Sequence, residues 1–164
     1  MMRALAFLRD TRGAAAAEMA LMIPLLLILM FVGFEAGHYF YTEHKVIKSV
    51  REGARYGGRL PWANFPCGGS LSTAAETQIK QVTRTGTTTG TAARVPGMAL
   101  DDITVSFTCD SSYIDSGIFK GKSGGAPVLL VEARTGYNSL FGQLGLTDTT
   151  IDVQASAEAV VNGI

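Results

Sequence analysis

AAAAEMALMIPLLLILMFVGF, residues 14–34, is the stretch that decides the architecture of this chain. It is apolar throughout except for one acid, Glu18. Its length matches the roughly 20 residues a helix needs to cross the hydrocarbon core of a bilayer. A carboxylate inside such a segment costs about 2.5–3.5 kcal/mol on insertion scales. A plain anchor has no use for it, whereas a subunit that pairs the acid with a neighbour's amine does. Pro24 lies within the stretch, removes the bond to the Ala20 carbonyl, and is expected to kink or loosen the helix there.

Upstream, the leader MMRALAFLRDTRG, residues 1–13, carries Arg3, Arg9 and Arg12 against Asp10. An ordinary secretory signal needs small residues at −3 and −1 beyond the apolar core. The available pairs, Phe31/Gly33, Phe34/Ala36 and Glu35/Gly37, each place a bulky or charged residue at −3. The processing signal is expected before the core instead, at Gly13–Ala14. Lys45, Lys48 and Arg51 follow the span, but the leader arginines are closer to it. That favours a cytoplasmic N-terminus and an exported C-terminal domain.

Downstream, no strong breaker occurs before Gly57-Gly58 and Pro61. Lys48, Arg51 or Glu52, Arg55 and Arg59 recur at helical spacing, with Val46, Ile47, Val50 and Ala54 among them. A helix over 14–56 would be about 65 Å long at about 1.5 Å per residue, apolar first and amphipathic after. Gly33 and Gly37 form a GxxxG, a spacing that lets helix backbones approach closely in lipid. Gly53 and Gly57 repeat it, and chance in a chain with 19 glycines is the alternative. Tyr39, Phe40 and Tyr41 read as an interfacial aromatic belt.

The 164 residues suffice for one span and one small domain. The formal net charge of zero hides a pattern: 60–164 carry six basic and nine acidic side chains, a net of −3. That balance leaves no electrostatic footprint for nucleic acid. The head, 59–164, reads as α+β. Thr73-Ala-Ala-Glu76 is a capping box opening a short helix with Ala75, Ile79 and Val82 on one face. The Thr/Gly run 85–91 is a loop. Strands are expected at 103–109 and 150–161, where apolar and polar residues alternate, and at 127–134, PVLLVEAR, an apolar run. Alternation predicts an antiparallel sheet with one face buried under the short helix and the amphipathic half of the long one.

Cys67 and Cys109 are the only cysteines. In an exported chain they suggest a disulfide that would tie the loop after the long helix to the sheet; two buried thiols are the alternative. No cysteine–histidine spacing suggests a metal site. His38 and His44 have only Glu35 and Glu43 for company and read as interfacial side chains. Asp101, Asp102, Asp110 and Asp115 lack EF-hand spacing and read as solvated loop acids, with a weak calcium site as the alternative. Gly117–Ser123 resembles a phosphate-binding loop, but it is one residue short and Gly124-Gly125-Ala126-Pro127 follows where a helix should. No serine has a histidine and an acid in a nucleophile arrangement, so no catalytic residue, cofactor or metal is expected.

Taken together, the leader ending at Gly13, Glu18 five residues on, LMIPLLLILMFVGFEAGHYF and then VREGARYGG resemble the TadE-type minor pilins. These are pseudopilins of tight-adherence (Flp) machines, a branch of the type IV pilin-like proteins. The resemblance covers residues 3–58. It implies a type IV pilin-like fold with a long N-terminal helix packed on a small antiparallel sheet, a leader over 1–13, a helix over 14–58 divided into span (14–34) and stalk (35–58), and cleavage after Gly13 by a prepilin peptidase. It implies an inner-membrane subunit with a periplasmic head, then the extracellular pilus. Its implied partners are the major Flp-type pilin, other minor pilins and the inner-membrane assembly platform, and Glu18 is the residue matching the acid that pairs with an adjacent N-terminal amine. Type IVa pilins usually start with phenylalanine, whereas this chain would start with Ala14. The competing reading is a signal-anchored membrane protein whose exported head binds a ligand.

Overall fold

The computed structural model describes residues 12–115, 117–143, 145 and 151–163. All but the last two leader residues therefore lie outside the described residues, as do Ser116 and Thr150. The chain divides into two compact units, Met1–His38 and Tyr39–Ile164.

In the first unit every described residue belongs to helix α1, Arg12–Gly57, which is continuous through Pro24. Residues 13–34 are exposed throughout. The helical stretch Gly13–Gly57 is long and apolar enough to cross a membrane, with a mean hydropathy of 2.4 in its most apolar window.

The second unit is α+β. It holds Tyr39 onward of α1, helix α2 (Thr73–Thr85), a three-stranded sheet and the short helix α3 (Leu140–Gln143). The strands β1 (Ile103–Asp110), β2 (Ala126–Gly136) and β3 (Asp152–Val160) run antiparallel in the order β1-β2-β3. Register pairs Val105 with Val131 and Phe107 with Leu129, and on the other side Val131 with Ala157 and Leu129 with Ala159. These residues share one face, as period-two alternation requires. β2 is the central strand, so Val128 and Leu130 on its second face are also half-buried. That is why 127–134 reads as an unbroken apolar run rather than an alternating one.

The core forms where α1 and α2 meet the inner face of the sheet. Val46, Val50 and Ala54 of α1, Ile79 of α2, and Leu129, Val131 and Val153 of the sheet are all buried in it. Two glycines permit this approach. A Cβ on Gly53 would overlap Thr83 Oγ1 of α2, and one on Gly57 would overlap Leu129 Cδ2 and press on Ile79. The second GxxxG therefore serves packing inside the head. At Gly33 and Gly37 a Cβ would meet nothing within 4 Å.

The capping box is corrected by the structure. α2 begins at Thr73, and Ser72 before it makes no side-chain cap. Thr73 is thus already helical, and Glu76 stands one residue too far in to reach back. Glu76 instead pairs with Lys80 one turn on, at 2.8 Å. At the other end Gly86, φ +87°, takes the left-handed conformation and its N–H donates to the Val82 carbonyl at 2.7 Å. The loop beyond is held by Arg84, whose Nε donates to the Met98 carbonyl at 3.0 Å, and by an ion pair between Arg94 and Glu52 of α1. Buried Val95 and Met98 anchor it to the core.

One polar group in the core stands alone. Ser49 is fully buried on α1, and its Oγ has no hydrogen-bond partner among the described residues. An unsatisfied buried hydroxyl costs about 1–3 kcal/mol. Ser49→Ala should therefore stabilise the head by about 1 kcal/mol and raise the melting midpoint of the full chain in detergent by roughly 3–5 °C. An unchanged or lower midpoint would mean the hydroxyl is satisfied.

Candidate functional site

Gly13 and Ala14 lie in the first turn of α1, and a Cβ on Gly13 would meet nothing within 4 Å. Glu18 is one turn beyond Ala14, so the two positions share a helix face about 5–6 Å apart. Glu18 is exposed among Met19, Leu21 and Met22 and has no ion-pair partner among the described residues. In water that arrangement costs little. In hydrocarbon, or between packed helices, an unpaired carboxylate costs several kcal/mol. Gly33 and Gly37 lie further along α1 and present an open, small-residue surface. None of these residues is brought to another by a tertiary contact within the first unit; they share only the helix.

The head places its own candidates differently. Cys67 and Cys109 are disulfide-bonded, with Cα atoms 5.9 Å apart and a sequence separation of 42. The bond joins the loop after α1 to the end of β1, as the apolar register of Cys109 implies. It forms one wall of a cleft of about 370 Å³ lined by Trp62, Phe65, Pro66, Lys122 and Pro127. The Lys122 ammonium sits 3.4 Å from the Trp62 ring centre. Partial burial pushes the Lys122 amine below its ordinary range, because desolvation disfavours the charged form. Gly163 also lies against Trp62, where a Cβ would collide with the indole, and the Trp62 Nε1 donates to the Val161 carbonyl at 2.8 Å. These contacts make Trp62 a fastening of the fold.

The loop acids have local duties. Asp110 Oδ1 accepts from the Ser112 backbone N–H at 2.9 Å, which, with the Ser112 side-chain bond, holds its carboxyl below the usual range. Asp102 Oδ2 accepts from the Ala99 N–H at 2.8 Å. Among the described residues no group of three histidine, cysteine or acidic side chains is placed to hold a metal ion. Gly117–Phe119 is a single 3₁₀ turn, and strand β2 follows where a phosphate-binding loop would open a helix. Residues with structural roles that sequence reasoning missed are Ser49, Arg94 and Trp62. Only Trp62 carried a signal, as the sole tryptophan in a loop beside a cysteine.

No curated protein and no solved structure matches the chain. On α1, the element that carries Gly13, Glu18, Pro24, Gly33 and Gly37, the chain matches the family of TadE-like proteins over residues 13–55.

Proposed function

We propose that this chain is a TadE-like minor pilin, a non-enzymatic subunit of a tight-adherence pilus. In this reading residues 1–13 are a prepilin leader, removed by a prepilin peptidase between Gly13 and Ala14. Residues 14–34 span the inner membrane, 35–58 form a stalk, and 59–164 form a periplasmic head that passes to the extracellular pilus. The major Flp-type pilin, other minor pilins and the assembly platform are its partners, and its work is pilus assembly, priming or tip structure. The observation that carries the reading is a lone carboxylate, Glu18, within an apolar helix that matches the TadE-like family over 13–55.

The chemistry follows from desolvation. A free ammonium at Ala14 and a carboxylate at Glu18 each cost several kcal/mol in a packed apolar bundle. Pairing the amine of one subunit with Glu18 of the next removes both penalties and sets the axial register, as a polar residue does in a coiled-coil core. Gly33 and Gly37 give neighbouring helices room to approach.

The first test is the intact mass and N-terminal sequence of membrane-extracted protein with and without the peptidase. A start at Ala14 that requires the peptidase supports the reading. A start at Met1 or Met2 in both strains removes it and favours the tethered ligand-binding head. Glu18→Ala is expected to leave the chain in the membrane, since removing a charge eases insertion, while lowering its recovery with sheared filaments at least about tenfold. Undiminished recovery would sink the pairing.

A further inference from the structure

We propose that an exposed basic row on α1 docks on the acidic open face of the sheet in a second copy of this chain. This names a partner for the proposed subunit and rests on that reading only in bringing two copies side by side in one membrane.

The row consists of Lys48, Arg51 and Arg55 on one face of α1, with Arg59 two residues past its end. All four are exposed. Spacing of three and four residues stacks the helical three within one sector, about 10 Å from first to last. Tyr41, 59% exposed, shares that sector, with the Lys45 ammonium 4.5 Å from its ring centre. Among the described residues the ion pairs Glu76–Lys80, Glu52–Arg94 and Asp152–Arg134 do not use the row. Glu52, the only acid within 45–59, is committed to Arg94. The helix thus presents concentrated positive charge that its own chain leaves uncompensated among the described residues.

The complementary surface is the face of the sheet turned away from the core. Register sets Glu132 of β2 opposite Ser156 and Glu158 of β3 opposite Leu130, so the two acids are diagonal neighbours on that face. Neither is ion-paired among the described residues. Diagonal neighbours lie about 7–8 Å apart, near enough for like charges to repel. Leu130 stands opposite Glu158, and the Val128–Val160 pair, with Val160 44% exposed, lies beyond it; Glu132 stands between Thr104 and Ser156, with Arg134, paired to Asp152, two residues further along the same face. Two carboxylates bordered on one side by an apolar strip fit a basic row with an aromatic beside it. Arginine tolerates partial desolvation better than lysine and bridges carboxylates with a planar fork. Both surfaces belong to one chain, so the contact is heterologous: each copy uses its row on one neighbour and offers its sheet to another.

The test uses full-length chains in isolated membranes, with the native disulfide retained. One tagged chain carries Arg55→Cys and a differently tagged one carries Glu158→Cys. On mild oxidation the mixed adduct is expected about tenfold above either variant expressed alone. Adding Glu132→Lys to the second chain should lower the yield several-fold, and adding Arg51→Glu to the first should restore it, because the charges are then exchanged. No mixed adduct overturns the proposal. So does a yield indifferent to Glu132→Lys, or a loss that Arg51→Glu does not rescue. Labelling of the row by photoactivatable phosphatidylglycerol, lost on Arg51→Glu with no mixed adduct, overturns it in favour of lipid. An adduct from chains that never reach sheared filaments would uphold this contact and sink the pilus reading; chains in filaments without the adduct would do the reverse.

Discussion

Replacing Cys67 and Cys109 together by serine is expected to cost the head about 4 kcal/mol. The bond closes a loop of 42 residues that contains α2 and reaches the end of β1. In the chain-entropy description a loop of that size loses about 13 cal/mol/K of unfolded-state freedom when closed. Small domains are stable by only about 5–15 kcal/mol, so this one bond is a large fraction of the whole. The melting midpoint of the full chain in detergent should fall by roughly 10–20 °C. Reduction of the native chain should reproduce the fall without any substitution. A loss below about 1 kcal/mol would mean that the unfolded ensemble already keeps 67 and 109 close.

The second large effect concerns Leu129. It is fully buried on the central strand, between Phe107 and Ala159 in register, with its Cδ2 where a Cβ on Gly57 would stand. Leu129→Ala should cost about 3–4 kcal/mol, the transfer term plus a cavity that a sheet held on both sides closes poorly. Gly57→Ala alone should destabilise, because the added methyl overpacks Leu129 and Ile79 and outweighs the better helix propensity of alanine. In the Leu129→Ala background the same methyl enters the vacated space. The double variant should recover about 1–2 kcal/mol relative to additivity. Strict additivity in urea melts of the four chains would show that α1 does not bear on Leu129.

Much of this fold is legible in the sequence. Residues 14–34 announce a helix by hydropathy alone, and 103–109 announce a strand by alternation, because burial on one side imposes a period. The cysteine pair was suggested by export and by there being two of them, with buried thiols as the alternative, and the structure bonds them. What stayed hidden depends on partners distant in sequence. Ser49 looks like any polar helix residue until the folded head buries it. Glu52 finds Arg94 across 42 residues, a pairing no local pattern encodes. The two GxxxG pairs are identical as patterns, yet Gly53 and Gly57 are filled by Thr83 and Leu129 whereas Gly33 and Gly37 face nothing in the chain. Thr73 misled because a capping box one residue out of phase has the same composition. The roles proposed for Gly13 and Glu18 rest on spacing alone, because what Glu18 would meet is not encoded in a single chain.

The fastening at Trp62 bears on the order in which the head is made. Val161 accepts from the indole 99 residues earlier in sequence, Asn162 donates to the Gly58 carbonyl, and Gly163 lies against the ring. β3 pairs only with β2, so the sheet has its last strand and its clasp to the end of α1 delivered together. Closing so long a loop is slow and comes after local structure. α2 and the β1–β2 ladder can form while the chain is still emerging, but the core beside Leu129 stays open on one side until β3 brings Ala159 into register. Synthesis therefore sets a clock on the head: it stays unfinished, and its apolar face uncovered, for as long as the final strand is in transit.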